Sequence, residues 1–413
     1  MADIFQMDAQ TTLFLADWIA PIESPAFQDG GFAVQAGRIV AMGSRESIKR
    51  ADPNAEVHDF GNAVVLPGLV NAHTHLELSS CTAGNSPGGT FAQWILSMRQ
   101  RMQNPDATTA AKLGIDQCVR FGVTCVGDIT QKAAITRPVL AGSPLRAISF
   151  GEVLGLGAFR HRFDELFGPA VDRKHDTPKL KIGLTPHAPY TVDIDGYRAC
   201  LQFARANQLP LATHLAETFD ELTFLQSSMG PFRWVWEQLG TWREGVPTFQ
   251  GSPIAMAQAV GLLDYPTLLA HVNYCDNQEL EILSRGQASV VYCPRTHKYF
   301  GHPPHRWREM LAQGMNVAVG TDSCASSPDL NLLDDLRLLR KIAPEIPVQT
   351  IWEMGTIRGA RALGMQREIG SLQPGKFADF LVFDSTASDP LEAILQSAAI
   401  PKSVWIDGKR IGD

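Results

Sequence analysis

Short apolar runs rich in β-branched residues recur through the middle of the chain, separated by longer stretches with helical character. Eight of them read as strands: Ala63 to Val70, Val123 to Asp128, Ala147 to Glu152, Leu180 to Pro186, Leu211 to His214, Leu268 to His271, Ser289 to Cys293 and Val317 to Asp322. Strands that alternate with helices pair in parallel, and eight such units close into a barrel. The pattern therefore predicts an α/β fold, a (β/α)8 TIM barrel over residues 64–369. The flanks differ. Residues 32–43 have the look of a hairpin with a Gly turn, and 380–383 and 403–411 are likewise strand and turn patterns. Both ends, 1–63 and 370–413, are expected to pair into one small β-sandwich module.

A TIM barrel places its chemistry at the carboxyl ends of its strands. Read in order, those ends carry His73 and His75, Asp128, Glu152, His187, His214 with Glu217, His271, Thr296 with His297, and Asp322. His73-Thr74-His75 follows the apolar run 64–71, and a strand turns residues i and i+2 to one face, so both imidazoles can grip one ion. One such pair is weak by itself. The later strand ends complete a set of three nitrogens and one carboxylate, His73, His75, His214 and Asp322, which suits one divalent ion, zinc or iron(II), better than magnesium or calcium. An ion with an open coordination position makes water a usable nucleophile at neutral pH. Glu217, three residues after His214, is placed to move protons, and His271 to orient the attacking group.

Duller readings compete with each assignment. A lone buried histidine is ordinarily a satisfied core group, but coincidence does not account for four such residues all falling on strand ends. His187 either contacts substrate or supports its loop, and Glu152 either binds ligand or caps the next helix. His302 and His305, in Gly301-His302-Pro303-Pro304-His305, read as an ordinary surface loop. Phe232 and Trp236 fit one helix face packed on the barrel, with a lid over a planar substrate as the competing reading, which also leaves Trp94 a candidate substrate contact. Cys293 has no visible histidine partner and reads as packing.

Composition narrows the function classes. Hydrophobic residues make up 45% of 413 and charged ones 19%, a globular balance. A net charge of -7 without any basic run gives no reason to expect nucleic acid or an anionic membrane as partner. The opening residues Met1 to Asp8 lack the basic start and apolar core of a secretory leader, and no segment is apolar for long enough to span a bilayer, so a cytoplasmic enzyme is expected. Seven cysteines without a Cys-x-x-Cys pair do not form a disulfide framework.

Four segments together resemble the amidohydrolase superfamily: Pro67-Gly68-Leu69-Val70-Asn71-Ala72-His73-Thr74-His75, Pro186-His187-Ala188-Pro189-Tyr190-Thr191, His214-Leu215-Ala216-Glu217 and Gly320-Thr321-Asp322-Ser323. More narrowly they look like its branch of adenosine-type deaminases and triazine chlorohydrolases, which includes the S-adenosylhomocysteine deaminases. The closing stretch 370–380 shares the likeness, which thus covers nearly the whole chain. The resemblance implies a distorted barrel holding one divalent metal on His73, His75, His214 and Asp322. It implies proton transfer by Glu217, orientation of the attacking hydroxide by His271, proton acceptance by Asp322, and a substrate contact for His187. Hydrolytic deamination of a small molecule follows, in a protein expected to be a homodimer. Where many members read Cys-Pro-x-Ser-Asn, this chain has Cys293-Pro294-Arg295-Thr296-His297, a version similar to aminodeoxyfutalosine deaminases. Thr296 and His297 are accordingly expected at the pocket mouth, setting substrate choice.

The favoured reading is a deaminase of an aminated purine nucleoside or related N-heterocycle. Triazine-type chlorohydrolases or aminohydrolases and cytosine or guanine deaminases would use the same activated water, and a scaffold without catalysis is the non-enzymatic alternative. A two-metal site bridged by a carbamylated lysine is disfavoured, because Lys181 stands six residues before His187, near the strand's beginning.

Overall fold

The computed structural model describes residues 10–84, 87–101, 106–157 and 160–412. The expectation drawn from residues 1–8 lies outside them. In chain order the strands are β1 (Thr12–Ile19), β2 (Phe27–Gln35), β3 (Arg38–Ser44), β4 (Glu56–Asp59), β5 (Ala63–Pro67), β6 (Leu69–Thr74), β7 (Val123–Thr130) and β8 (Arg146–Val153). They continue with β9 (Leu180–Pro186), β10 (Leu211–Leu215), β11 (Thr267–His271), β12 (Ser289–Tyr292), β13 (Val317–Val319), β14 (Phe380–Asp384), β15 (Ser403–Ile406) and β16 (Lys409–Ile411).

Strands β6 to β13 neighbour one another in sequence order as one parallel sheet, the distorted barrel expected. Helices cover its outer face, so most of its strands are buried along their whole length, as the unbroken apolar runs require. The sheet nearly closes between β13 and β6. There the Asp322 N–H donates to the His73 carbonyl at 3.1 Å, and Thr74 and Asp322 form a parallel bridge. Asn71 spans the same seam, accepting from the Thr321 N–H at 3.1 Å and donating to Thr321 Oγ1 at 2.7 Å. A Cβ at Gly320 would stand 2.8 Å from both Cβ and O of His73, so only glycine allows the two strands to come this close.

The run from Ala63 to Val70, expected as one barrel strand, is two strands. β5 belongs to the terminal module, antiparallel to β14 and parallel to β1, and only β6 enters the barrel. Pro67 has no N–H to continue a ladder, and the Gly68 N–H turns aside to the Asp379 carbonyl at 2.9 Å. The last barrel strand is also shorter than expected, ending at Val319, so Asp322 sits beyond it in a left-handed conformation, φ 56°.

The terminal strands form a mixed sheet in the order β16-β15-β14-β5-β1-β2-β3, with β4 beside β1. It has its own aromatic core, in which Phe14 stacks on Phe32 at 5.4 Å and Phe380 on Trp405 at 5.4 Å. Two hairpins turn on Ala36-Gly37 and Asp407-Gly408, whose positive φ values (48° and 78°, 55° and 70°) match the twist of the strands they join. Arg146, at the start of β8, fastens this module to the barrel. Its buried guanidinium pairs with Asp379 at 2.7 and 3.2 Å, bonds Asp407, and lies 3.6 Å over the Phe377 ring. Among the described residues no helix is long and apolar enough to cross a membrane, and no disulfide joins any of the seven cysteines.

Burial raises the Asp379 carboxyl above its ordinary range while Arg146 opposes that rise. Removing the arginine strands a buried charge, so Arg146→Ala is expected to lose about 3–5 kcal/mol of stability. A carboxyl whose folded pKa exceeds its unfolded one penalises the folded state increasingly as pH rises between the two values. Urea unfolding should therefore show a larger deficit at pH 8 than at pH 5, and equal deficits would count against this account.

Candidate active site

The carboxyl ends of the barrel strands bring the predicted residues together. His73 and His75 leave β6 with their rings 5.0 Å apart and nearly perpendicular. His214, on β10, donates Nδ1–H to the His187 carbonyl at 3.1 Å, which leaves its Nε2 as a lone pair 3.3 Å from His75 Nε2. Neither ring nitrogen of His73 has a hydrogen-bond partner, although the ring is fully buried. Asp322 Oδ1 lies 3.7 Å from His73 Nε2 and 3.6 Å from His75 Nε2, and its Oδ2 accepts from Ser326 Oγ at 2.8 Å.

Burial, reinforced by His73, pushes His75 down to about 4. Burial and the surrounding imidazoles push His214 well below its ordinary value. Asp322 goes the other way from what its burial alone would dictate, since His73, His271 and His75 hold it well below the usual carboxylate range. At neutral pH His75 and His214 thus offer imidazole lone pairs beside an ionised Asp322. Orphaned buried nitrogens and this donor set are what a divalent cation requires, and the residues fit a divalent-metal site.

Glu217 follows on the turn leaving β10. Its Oε1 is 3.4 Å from His271 Nε2, and burial, with Asp322 and Glu221 adding to it, raises its carboxyl well above the ordinary value. The turn is tightly held. Both oxygens of the buried Glu221 accept backbone N–H groups, from Ala216 at 2.9 Å and Glu217 at 3.0 Å, while Asn273 Nδ2 donates to the Glu217 carbonyl at 2.9 Å. Ala216, His271, Val272 and Asp322 all have positive φ (50°, 73°, 51° and 56°), unusual for residues with a side chain and concentrated at this site. His187 hydrogen-bonds Thr191 Oγ1 through Nδ1 at 2.7 Å and is kept neutral by burial, down to about 3. Glu152 accepts from Gln131 Nε2 at 2.5 Å and, buried near Glu77, is pushed up to about 8.

A cavity of ≈ 450 Å³ joins these groups, with His75, His214, Glu217, His271 and Asp322 at its floor and Glu77, Glu152 and His187 along one side. Trp94, Tyr190, Phe232 and Trp236 form an aromatic wall. Tyr190 and Phe232 stack at 3.9 Å, and Trp236 Nε1 donates to the Tyr190 carbonyl at 3.0 Å. Phe232 and Trp236 do share one helix face, within Pro231–Gln238, but that face turns to the cavity and joins a cluster separate from the barrel core. A larger cleft, ≈ 980 Å³, opens at the opposite end of the barrel near Lys181, Leu211 and Asn316 and contains none of these residues.

Two residues expected at the pocket mouth, Thr296 and His297, do not line this cavity. The chain turns into the helix Pro294–Phe300 directly after β12, which carries Thr296 and His297 behind the cavity wall. Thr296 Oγ1 meets Ser326 Oγ at 3.0 Å and so supports Asp322, and His297 Nε2 donates to the Pro303 carbonyl at 2.9 Å. The loop 301–305 is also not an ordinary surface loop, because His305 is buried and reaches the backbone of His271. Glu77, which lines the cavity, and Glu221, which holds the Glu217 turn, were not singled out by the strand-end reading. Each follows a predicted site residue, His75 by two and Glu217 by four, and that proximity was the available signal.

A parallel barrel with a buried imidazole and carboxylate cluster at its carboxyl ends defines a metal-dependent hydrolase. The chain belongs to the amidohydrolase family, whose profile matches residues 64–411. Its relatives include a 5-methylthioadenosine/S-adenosylhomocysteine deaminase of Moorella thermoacetica, 29% identical over 89% of this chain and 84% of that one. An adenosine deaminase of Helicobacter pylori is 30% identical over 91% of this chain and 93% of its own. Among solved structures, the Helicobacter pylori aminofutalosine deaminase in complex with methylthio-coformycin superposes with a TM-score of 0.86 at 26% identity, covering 97% of this chain and all of that one.

Because a Cβ at Gly320 collides with His73, Gly320→Ala should displace that imidazole. Metal retention is expected to weaken by about 10–100-fold, the usual effect of disturbing what orients a ligand. Elemental analysis after dialysis against graded chelator measures it.

Proposed function

We propose that this protein is a hydrolytic deaminase of adenine-type nucleosides, exchanging the exocyclic amine of the purine for oxygen. One divalent ion, zinc or iron(II), would be held by His73, His75, His214 and Asp322. The observation that carries the reading is the convergence of His73, His75, His214 and Asp322 with Glu217 and His271 around one small cavity. When bound, the ion would lower the pKa of a water so that it attacks at neutral pH.

The rest of the chemistry belongs to the side chains. Asp322 takes one proton from the attacking water as its oxygen adds to the amine-bearing carbon. Glu217 delivers its proton to the adjacent ring nitrogen, which removes the need to develop negative charge there. The proton on Asp322 passes to the amine, ammonia departs, and the remaining hydroxyl proton returns to Glu217. His271, neutral because burial pushes it well below its ordinary value, directs Nε2 to this centre. The aromatic wall and Trp94 grip the flat ring, and His187 and Glu152 supply the polar contacts along its edge and sugar. The activities named for these two relatives, both on adenine-type nucleosides, support a purine over a triazine or pyrimidine.

Glu217→Gln keeps the cavity's shape but cannot cycle a proton. It is expected to retain the metal and lose about 10²–10⁴ in turnover, read as ammonia release. The wild type should release ammonia from at least one of adenosine, methylthioadenosine, S-adenosylhomocysteine and aminodeoxyfutalosine. Chloride release from a chlorotriazine with no ammonia from any nucleoside would overturn the proposal. Chelated protein should be inactive and recover when zinc is restored.

A further inference from the structure

His305 lies outside the cavity, on the segment that leaves the helix Pro294–Phe300, yet it is almost wholly buried. Its Nε2–H donates to the carbonyl of His271 at 2.8 Å. Its ring stacks on Tyr292 at 4.1 Å and 23°, and Pro303 and Pro304 restrict the chain immediately before it. The carbonyl it holds belongs to a strained turn. His271 and Val272 are consecutive side-chain-bearing residues with φ of 73° and 51°, and Val272 is β-branched, for which this region is a true outlier. Such a conformation persists only where the surroundings over-determine it. On the other side of the bent peptide, the Val272 N–H donates to the Leu215 carbonyl at 3.0 Å, so His305 supplies the opposing hold.

We propose that His305 is a positioning residue for the reaction, fixing the His271 peptide so that the His271 imidazole faces Glu217 and Asp322. The role rests on the deaminase reading for its kinetic consequence and on geometry alone for its structural one. Burial, with His297 and His302 nearby, keeps the ring neutral, down to about 3, so the donor stays on Nε2 while the other nitrogen has no partner. The segment after β12 reaches past the cavity and returns a histidine to the adjacent strand end.

Two variants separate positioning from simple packing. His305→Phe preserves the stack on Tyr292 and removes the donor, whereas His305→Gln can place an N–H where Nε2 stands. For Phe, kcat is expected to fall by about 10–100-fold with KM and bound metal near wild type, and Gln should recover most of the loss. Crystal structures should show His271 leaving its positive φ, and its Nε2 moving off Glu217, in the Phe variant only. Wild-type kcat in the Phe variant, or equal losses of kcat, melting temperature and metal in both variants, would overturn the proposal, as would an unmoved His271. If the wild type itself deaminates no nucleoside, the deaminase reading fails while the crystallographic comparison still decides the role of His305.

Discussion

The seam between β13 and β6 is the constraint on which the site depends. A barrel of eight strands closes only if its last strand finds its first, and here that meeting rests on a backbone hydrogen bond from Asp322 to His73, side-chain bridges from Asn71 and Thr74, and a missing Cβ at Gly320. The same few atoms place Asp322 against His73. Closure and ligand geometry are therefore one event, and a change that loosens the seam separates the carboxylate from the imidazoles before it unfolds the barrel.

Around that seam the chain stores strain and then restrains it. The left-handed residues Ala216, His271, Val272 and Asp322 re-aim side chains that a regular strand ending would leave pointing along the barrel. Each is restrained by a hydrogen bond at or beside it: Glu221 and Asn273 around Glu217, Leu215 at Val272, His73 at Asp322. These partners are spent entirely on backbone groups. The precision of the site thus comes from polar groups that never face the cavity, in keeping with how buried polar networks rigidify their surroundings.

Most of the architecture was legible because the barrel strands are buried on both faces and stand out as unbroken apolar runs ending in polar residues. His73, His75, His214, Glu217, His271 and Asp322 were found by that rule, and they do converge. The rule failed where a local event interrupted the pattern. Pro67-Gly68 splits a continuous apolar run between two sheets, which hydrophobicity cannot reveal because both halves are equally buried. Thr296 and His297 were misplaced because a helix begins at Pro294 without any intervening loop, rotating them away from the mouth. His305 was unreadable for another reason: its loop has surface composition, and its burial follows from the path the chain takes back across β11 and β12, a tertiary fact.

The division of labour proposed for Glu217 and Asp322 follows from their neighbours rather than from their own chemistry. Two carboxylates that share a cavity floor would ordinarily compete for one proton. Here Asp322 faces imidazoles that stabilise its charge, while Glu217 faces Glu221 and Asp322, which oppose a further charge in a site already dry. The two are pushed in opposite directions, the arrangement that lets one act as base and the other as acid at the same pH. Glu221 enters through the backbone, since its two oxygens accept the N–H groups of Ala216 and Glu217 and so fix where the Glu217 acid sits in its dry surroundings. Structure and acidity are in that way coupled through one side chain, so the turn cannot relax without also changing the acid it presents.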